Sequence, residues 1–354
     1  MTSSHPLPDA GIDSSALEAV VRQTIGAEAL AELSALLPVL VRDLADVDWR
    51  VEQALGSQYS QLSEAARYAC STGGKRVRPL LMATMARALG ATTTQPLLSL
   101  AAAFQLIHTA SLVHDDVIDH ADLRRGRPSM PRAYGTALAI VTGDYLFVRA
   151  FELAAEYPKA IIVRCGEACA ELVEGEVLQE NTLFDLASGR EHYLRVVERK
   201  TASIVAAALS SVAELAGAPQ ATIDAAGTYG RSLGISFQIR DDLLDVYGDP
   251  DLLGKPLYAD FREGNPTLVA IETYARLDPK RQTEFERLFQ RRHKKASHLI
   301  RMRELADAAG VREPITLESQ LWAERAIRAL APVPPGPYRV LLERLAHGAA
   351  ERRF

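Results

Sequence analysis

From Ala31 onward apolar residues recur at spacings of three and four, as in LSALLPVLVRDLADVDWRVEQAL, which is the period of an amphipathic helix. The same period predicts helices from Pro79 to Leu89, Pro96 to Asp119, Ala160 to Gln179, Glu191 to Ala216, Ala221 to Val246, Asn265 to Leu277 and Gln282 to Ala309. Breaks are expected where Gly and Pro cluster, in TGGKRVRP (72–79), RRGRPSMP (124–131), GDPDLLGKP (248–256) and PVPPGP (332–337). Alternating patterns bounded by hairpin turns are absent, and no repeat of 20–50 residues is present. No linker divides the middle of the chain, so the pattern predicts an all-α fold. We expect a partly ordered leader over residues 1–30 and a single helical domain over 31–354, a large bundle with its site between facing helices.

Composition narrows the class. With 354 residues, 48% apolar and 24% charged, the chain is globular and has ample material for a core. Its formal charge of −5 gives no reason to expect a nucleic-acid partner. Cys70, Cys165 and Cys169 are too few for a disulfide framework, which favours a reducing cytoplasm. Cys165 and Cys169 share a helix face with no His or Cys to complete a zinc set, so core filling is their reading. The N-terminus lacks the basic and apolar regions of a secretory signal. No apolar run is read as approaching the roughly 18 residues that span a bilayer, leaving peripheral membrane contact open. The run Arg291, Arg292, His293, Lys294, Lys295 has acidic and apolar flanks in helical register, and reads as a solvated helix face rather than a nucleic-acid site.

Candidate chemistry sits in two acidic clusters, HDDVID (114–119) and RDDLLD (240–245). In each DDxxD the first and last aspartates lie at i and i+4 on one helix face, with the second turned about 100° away. Like charges so spaced destabilise an isolated helix by about 0.2–0.5 kcal/mol per pair. A hard divalent cation offsets that cost, because Mg²⁺ is typically held by one or two carboxylates together with water and substrate phosphate oxygens. Each cluster follows an apolar run, LIHTASLV or LGISFQI, which a merely solvated face would not need, and the second reaches Asp249 if its helix continues. Cations suited to the remaining phosphate oxygens surround them: Lys75, Arg76 and Arg78; Arg124, Arg125 and Arg127; Lys200 with Thr201; and Lys255. GGKR lacks the spacing and the Ser/Thr of a P-loop. His108, two turns before Asp115 on about the same face, reads as a ligand contact rather than a core histidine.

The motifs GGKRVRP (73–79), IHTASLVHDDVIDHADLRRGRPS (107–129), TGDYLF (142–147), EGEVLQ (174–179), KTA (200–202), GISFQIRDDLLDVYGD (234–249) and LGKP (253–256) resemble those of the trans-isoprenyl diphosphate synthases, or polyprenyl synthetases. The resemblance runs from about residue 40 to the C-terminal region. It implies the isoprenoid synthase type of fold, an orthogonal/antiparallel helix bundle with a central active-site cavity. It also implies a Mg²⁺-dependent head-to-tail condensation of isopentenyl diphosphate with an allylic diphosphate, with three ions bound alongside substrate, in a homodimer. By the same resemblance Asp115, Asp119 and Asp241 are the leading metal ligands, with Asp116 and Asp245 in support. Arg124, Lys200, Thr201, Gln238 and Lys255 would hold the allylic diphosphate, and Lys75, Arg78, His108 and Arg125 isopentenyl diphosphate. Asp115, Asp119, Arg124, Lys200 and Asp241 would carry the catalysis.

One position departs from the pattern. Residues 263–267 read EGNPT, with Asn265 where the family often has a lysine, so one charge–phosphate contact is expected to be lost. The residues ahead of the first cluster that would floor the product tunnel, Ala110 and Ser111, are small, so the resemblance implies a product longer than twenty carbons. Ile107 or Phe104, deeper on that face, as the floor would give the alternative, a geranylgeranyl-length product. A class I terpene cyclase would carry a different motif in place of RDDLLD, and a non-catalytic subunit would have lost carboxylates from one cluster. A membrane-embedded aromatic prenyltransferase conflicts with the expected lack of spans.

Overall fold

The computed structural model describes residues 34–71, 76–253 and 257–352. The expected leader, Lys75 and Lys255 lie outside the described residues. The helices, in chain order, are α1 (Leu37–Ala54), α2 (Ser60–Ser71), α3 (Val77–Ala88), α4 (Leu98–Ile118), α5 (Met130–Tyr134), α6 (Thr136–Ala154), α7 (Lys159–Glu180), α8 (Gly189–Val197) and α9 (Ser203–Leu215). They continue with α10 (Gln220–Tyr247), α11 (Pro250–Leu253), α12 (Ala259–Glu263), α13 (Leu268–Arg276), α14 (Pro279–Phe289), α15 (Ala296–Ala309), α16 (Arg312–Ala329) and α17 (Pro337–Glu351). The one ladder among the described residues, β1 (Leu123–Arg124) with β2 (Arg127–Pro128), is a two-residue hairpin. The fold is all-α, as the periodicity predicts.

The chain falls into two compact units: residues up to Cys165 with Ala208–Asp224 and Pro332–Arg344, and Gly166–Ala207 with Ala225–Ala331 and the residues from Leu345. In the first unit α4 packs against α6, α1 and α3. Its sequence LSLAAAFQLIHTASLV is apolar all round, which suits a helix covered on every side, and Leu100, Ala102, Phe104 and Leu106 are fully buried. Gln95–Ile118 is in fact long and apolar enough to cross a membrane, which corrects the expectation that no run qualifies, but most of it is buried as a core helix. In the second unit Tyr258 stacks on Phe261, Phe261 meets Phe285 edge to face, and Phe285 stacks on Phe289, among Ile239, Val246, Leu268 and Met302. Burying each such aromatic contributes about 1.5–3 kcal/mol.

Two expected helices differ, and one conditional extension does not occur. The span from Glu191 to Ala216 is interrupted by a π-helical turn at Glu198–Ala202, one extra residue that leaves the apolar spacing on either side almost intact. The span from Gln282 to Ala309 breaks at 290–295, because like charges in RRHKK repel and α15 restarts at Lys295, whose backbone N–H donates to His298 Nδ1 at 3.2 Å. The basic run is therefore a loop and not a helix face. Finally α10 ends at Tyr247, so Asp249 does not extend the second cluster along one helix.

Candidate active site

In the first unit α4 carries His108, Asp115 and Asp116, and Asp119 is its C-cap, its N–H donating to the Asp115 carbonyl at 2.8 Å. The chain then turns through Arg125 and Gly126, with φ of 52° and 75°, the two left-handed residues that a type I′ hairpin requires. This turn returns Arg124 to α4, where its Nε donates to Asp116 Oδ1 at 2.7 Å. Asp116 is only 2% exposed, so the middle aspartate of the first motif is committed to an internal ion pair. Asp115 is half-buried and Asp119 exposed.

Around His108 the sequence-predicted cations gather. Arg76 caps α3 in a left-handed conformation, with its Nε on Asp48 Oδ1 at 2.8 Å. Arg78 has no ion-pair partner among the described residues, and its Nε is buried with no hydrogen-bond acceptor. Burial and the neighbouring Arg125 push the Arg78 guanidinium down to about 10. Burial, then Arg78, Arg125, Arg124 and Arg76, hold His108 well below the usual imidazole range, so its ring is neutral. Burial and the charges of Arg124 and Arg76 likewise lower Arg125. A concentration of guanidinium groups that destabilises its own charge, with a buried donor lacking an acceptor, is chemistry suited to a polyanion such as a diphosphate.

Sequence reading gave His114 and TGDYLF no part in this region. His114 Nε2 lies 3.2 Å from the Ile140 carbonyl and 3.5 Å from Asp144 Oδ1 of α6. A Cβ at Gly143 would fall 2.2 Å from that ring, so this glycine is what lets α6 close on the residue preceding Asp115. The intact TGDYLF motif was the only signal for it.

In the second unit the π-helical turn carries Lys200 and Thr201. A Cβ at Gly175 of α7 would lie 2.6 Å from the Lys200 backbone N, and one at Gly234 of α10 would lie 2.7 Å from Ala202 Cα. Both glycines are thus required for the close packing of this turn. Lys200 Nζ meets Glu176 Oε2 at 2.5 Å. Thr201 Oγ1 donates to Gln238 Oε1 at 3.1 Å, Gln238 Nε2 donates to Asp242 Oδ1 at 2.8 Å, and the buried Tyr193 hydroxyl donates to Asp242 Oδ2 at 2.7 Å. Burial, with Asp241 and Asp245 nearby, pushes the Asp242 carboxyl up to about 7 against the pull of those two donors. Asp245, 2% exposed, accepts the N–H groups of Ala259 and Asp260 at 3.1 Å each. Asp241 meets Arg352 Nη2 at 2.7 Å. Asn265 donates to Asp260 Oδ1 at 3.0 Å, so the departing residue is bound to a neighbouring carboxylate whose pKa burial raises.

Residues 59–305 match the family model for polyprenyl synthetase. The chain belongs to the polyprenyl synthetase family. It is 34% identical over 313 residues to octaprenyl diphosphate synthase of Escherichia coli, covering 88% of this chain and 96% of that one. It is 41% identical over 242 residues to heptaprenyl diphosphate synthase component 2 of Geobacillus stearothermophilus, covering 68% of this chain and 75% of that one. A crystal structure of a decaprenyl diphosphate synthase from Rhodobacter capsulatus superposes with a TM-score of 0.85 at 34% identity, covering 91% of this chain and 99% of that one. A polyprenyl synthase from Caulobacter crescentus, crystallised with calcium and isoprenyl diphosphate, gives 0.86 at 36% identity, covering 91% and 98%. The chain is accordingly a prenyltransferase with the all-α isoprenoid synthase fold.

Against that family the donor set is consistent. Among the described residues no three His, Cys, Asp or Glu side chains converge into a closed metal site. Carboxylates at i and i+4 without His or Cys are hard oxygen donors that leave most positions on the cation to water and phosphate, which suits Mg²⁺. Asp116, Asp242 and Asp245 are buried on internal partners, whereas Asp115, Asp119 and Asp241, the last of them paired with Arg352, are the more accessible members of their motifs.

Proposed function

We propose that this polyprenyl synthetase condenses isopentenyl diphosphate with an allylic diphosphate to make an all-trans polyprenyl diphosphate longer than twenty carbons. The observation that carries the reading is the group on and beside α4. There Asp115 and Asp119 end a core helix whose His108 lies among four arginines, one with a buried, unpartnered Nε. Arg78, His108 and Arg125, with Lys75, are assigned to isopentenyl diphosphate; Arg124, Lys200, Thr201, Gln238 and Lys255 to the allylic diphosphate; and Asp115, Asp119 and Asp241 to three Mg²⁺ ions.

Bound Mg²⁺ supplies charge stabilisation for the departing diphosphate. Lys200 and the arginines orient the phosphates and add fixed positive charge where negative charge develops as the allylic C–O bond breaks. The apolar wall of α4 keeps water from the allylic cation while the double bond of isopentenyl diphosphate attacks it. Loss of a proton from the new cation restores the alkene one isoprene unit longer. Ala110 and Ser111, both buried and small, support continued growth, as do the octaprenyl and decaprenyl names of the relatives. A homodimer is supported by the exposed Ile140, Val141 and Val148 on α6, and a reducing cytoplasm by the free cysteines. Peripheral membrane contact fits release of such a product.

The test is incubation of the purified chain with Mg²⁺, labelled isopentenyl diphosphate and, separately, dimethylallyl, geranyl, farnesyl and geranylgeranyl diphosphates. A ladder ending beyond twenty carbons is expected, with D115N and D241N each lowering kcat roughly 10²–10³-fold. A stop at twenty carbons would move the floor to Ile107 or Phe104. No elongation from any primer would refute the reading and turn attention to Asn265 or a missing second subunit.

A further inference from the structure

The basic run 291–295 has no part in the chemistry above. It forms an irregular loop between α14 and α15, with Arg291, Arg292, His293 and Lys295 exposed and Lys294 half-buried. On the flanking helices Arg281 pairs with Asp278, Arg301 with Glu284 and Glu304, and Arg303 with Asp307. Among the described residues none of the five loop side chains has a carboxylate within ion-pair distance.

What the loop holds instead is aromatic. The Arg292 guanidinium lies 5.2 Å from the centroid of Phe184, and Lys294 Nζ lies 4.8 Å from Phe184 and 5.7 Å from Phe289. Lys294 Nζ also donates to the Arg291 carbonyl at 2.6 Å, which braces the loop from within. Phe184 in turn donates its N–H to the Gly264 carbonyl at 2.7 Å, and Gly264 caps α12, whose first N–H groups Asp245 holds. A concentrated, unopposed positive charge is thus fastened to the segment that follows the second acidic motif.

We propose that loop 290–295 docks this enzyme on an anionic lipid surface. The inference rests on the proposed product, an amphiphile whose long apolar chain must pass from protein to bilayer. A nucleic acid has no place in that reaction. With a formal charge of −5 on the whole chain, attraction to an anionic surface has to come from a local patch, and the patch must lie within about one Debye length, 8–10 Å, of the lipid. Each Lys or Arg near such a surface contributes about a fivefold gain in partitioning. The three exposed ones in this loop, Arg291, Arg292 and Lys295, therefore give reversible binding, suited to an enzyme that unloads and departs.

The full chain is sedimented with vesicles of phosphatidylcholine alone or mixed with phosphatidylglycerol, at low and at physiological salt. Binding is expected on the mixed vesicles only, weakening as salt rises, and R291Q/R292Q/K295Q should bind about a hundredfold more weakly. The charge-preserving R291K/R292K should bind like the wild type, and circular dichroism melting confirms that both variants fold. Equal binding to neutral vesicles, no binding to mixed vesicles at low salt, or unchanged binding by the triple glutamine variant would overturn the proposal. Retention on single-stranded DNA without vesicle binding would overturn it in favour of a nucleic-acid surface. Vesicle binding needs no turnover, so its failure is distinct from failure of the elongation assay.

Discussion

Arg352, beyond the last turn of α17, places its guanidinium 2.7 Å from Asp241, the first carboxylate of the second acidic motif, 111 positions away in sequence. The same guanidinium lies 3.8 Å from the centroid of Phe237, donates to the Phe237 carbonyl at 3.3 Å, and its side chain is only 12% exposed. A protein cation thus neutralises a carboxylate proposed above as a metal ligand, and on that proposal the two would compete for one site.

R352Q removes that competitor. The partly buried ion pair is worth about 1–2 kcal/mol, so Tm should fall by about 1–3 °C. Mg²⁺ with inorganic pyrophosphate should then raise Tm more in R352Q than in the wild type, since Asp241 carries an unneutralised charge. Equal ligand-induced shifts in thermal melts would show that Arg352 and the metal do not share Asp241.

A bulky side chain at Ala110 or Ser111 should shorten the product. Both positions are buried in α4, so A110F and S111F cost about 1–3 kcal/mol of packing strain and put an aromatic ring on the helix ahead of Asp115. Chromatographic sizing should show the ladder ending at least one isoprene unit earlier, with primer consumption retained. An unchanged ladder in both variants would place the product path elsewhere.

His108 couples binding to pH. Its folded pKa lies well below 6.5, from burial and then the surrounding arginines. The unfolded chain therefore binds more protons as pH falls below about 6.5, and stability contributed by the neutral ring is present above that pH and lost beneath it. A diphosphate among those arginines favours the imidazolium and raises the pKa, so binding near pH 6 should take up protons. Calorimetry of isopentenyl diphosphate binding in buffers of different ionisation enthalpy should show this uptake, and H108Q should abolish it.

Gly175 tests the π-helical turn. In G175A the new methyl carbon would sit 2.6 Å from the Lys200 N, pushing on backbone that cannot yield as a side-chain tip would. A rise in KM for the allylic diphosphate and a loss of about 1–3 kcal/mol are expected. Gly166, on the same helix with open space around it, is the control: G166A should keep activity and gain up to about 1 kcal/mol.

Cys70 and Cys169 should resist alkylation. Burial pushes their thiols up to about 12 and about 11, so near pH 8 fewer than about one in a thousand is thiolate, the reactive form. Mass spectrometry after iodoacetamide should find adducts only once the protein is denatured, and adducts in the native protein would contradict the burial.

The sequence by itself determined the helical class, most helix positions and the family, because apolar periodicity and contiguous motifs are local properties that survive without coordinates. It also singled out Asp115, Asp119 and Asp241, although through resemblance, since spacing treats every aspartate of a DDxxD alike. Only tertiary structure shows what the other carboxylates of the two motifs hold: Arg124 reaches Asp116 by a left-handed turn, Tyr193 reaches Asp242 across 49 residues, and Asp245 accepts the N–H groups of Ala259 and Asp260. The single extra residue at Glu198–Ala202 and the break at 290–295 were likewise invisible, because one added residue barely changes the apolar period and charge repulsion competes with helix propensity too closely for a local pattern to decide. Arg352 could not have been found at all. An ion pair closed over 111 residues depends on where two helix ends meet in space, and no local spacing encodes that.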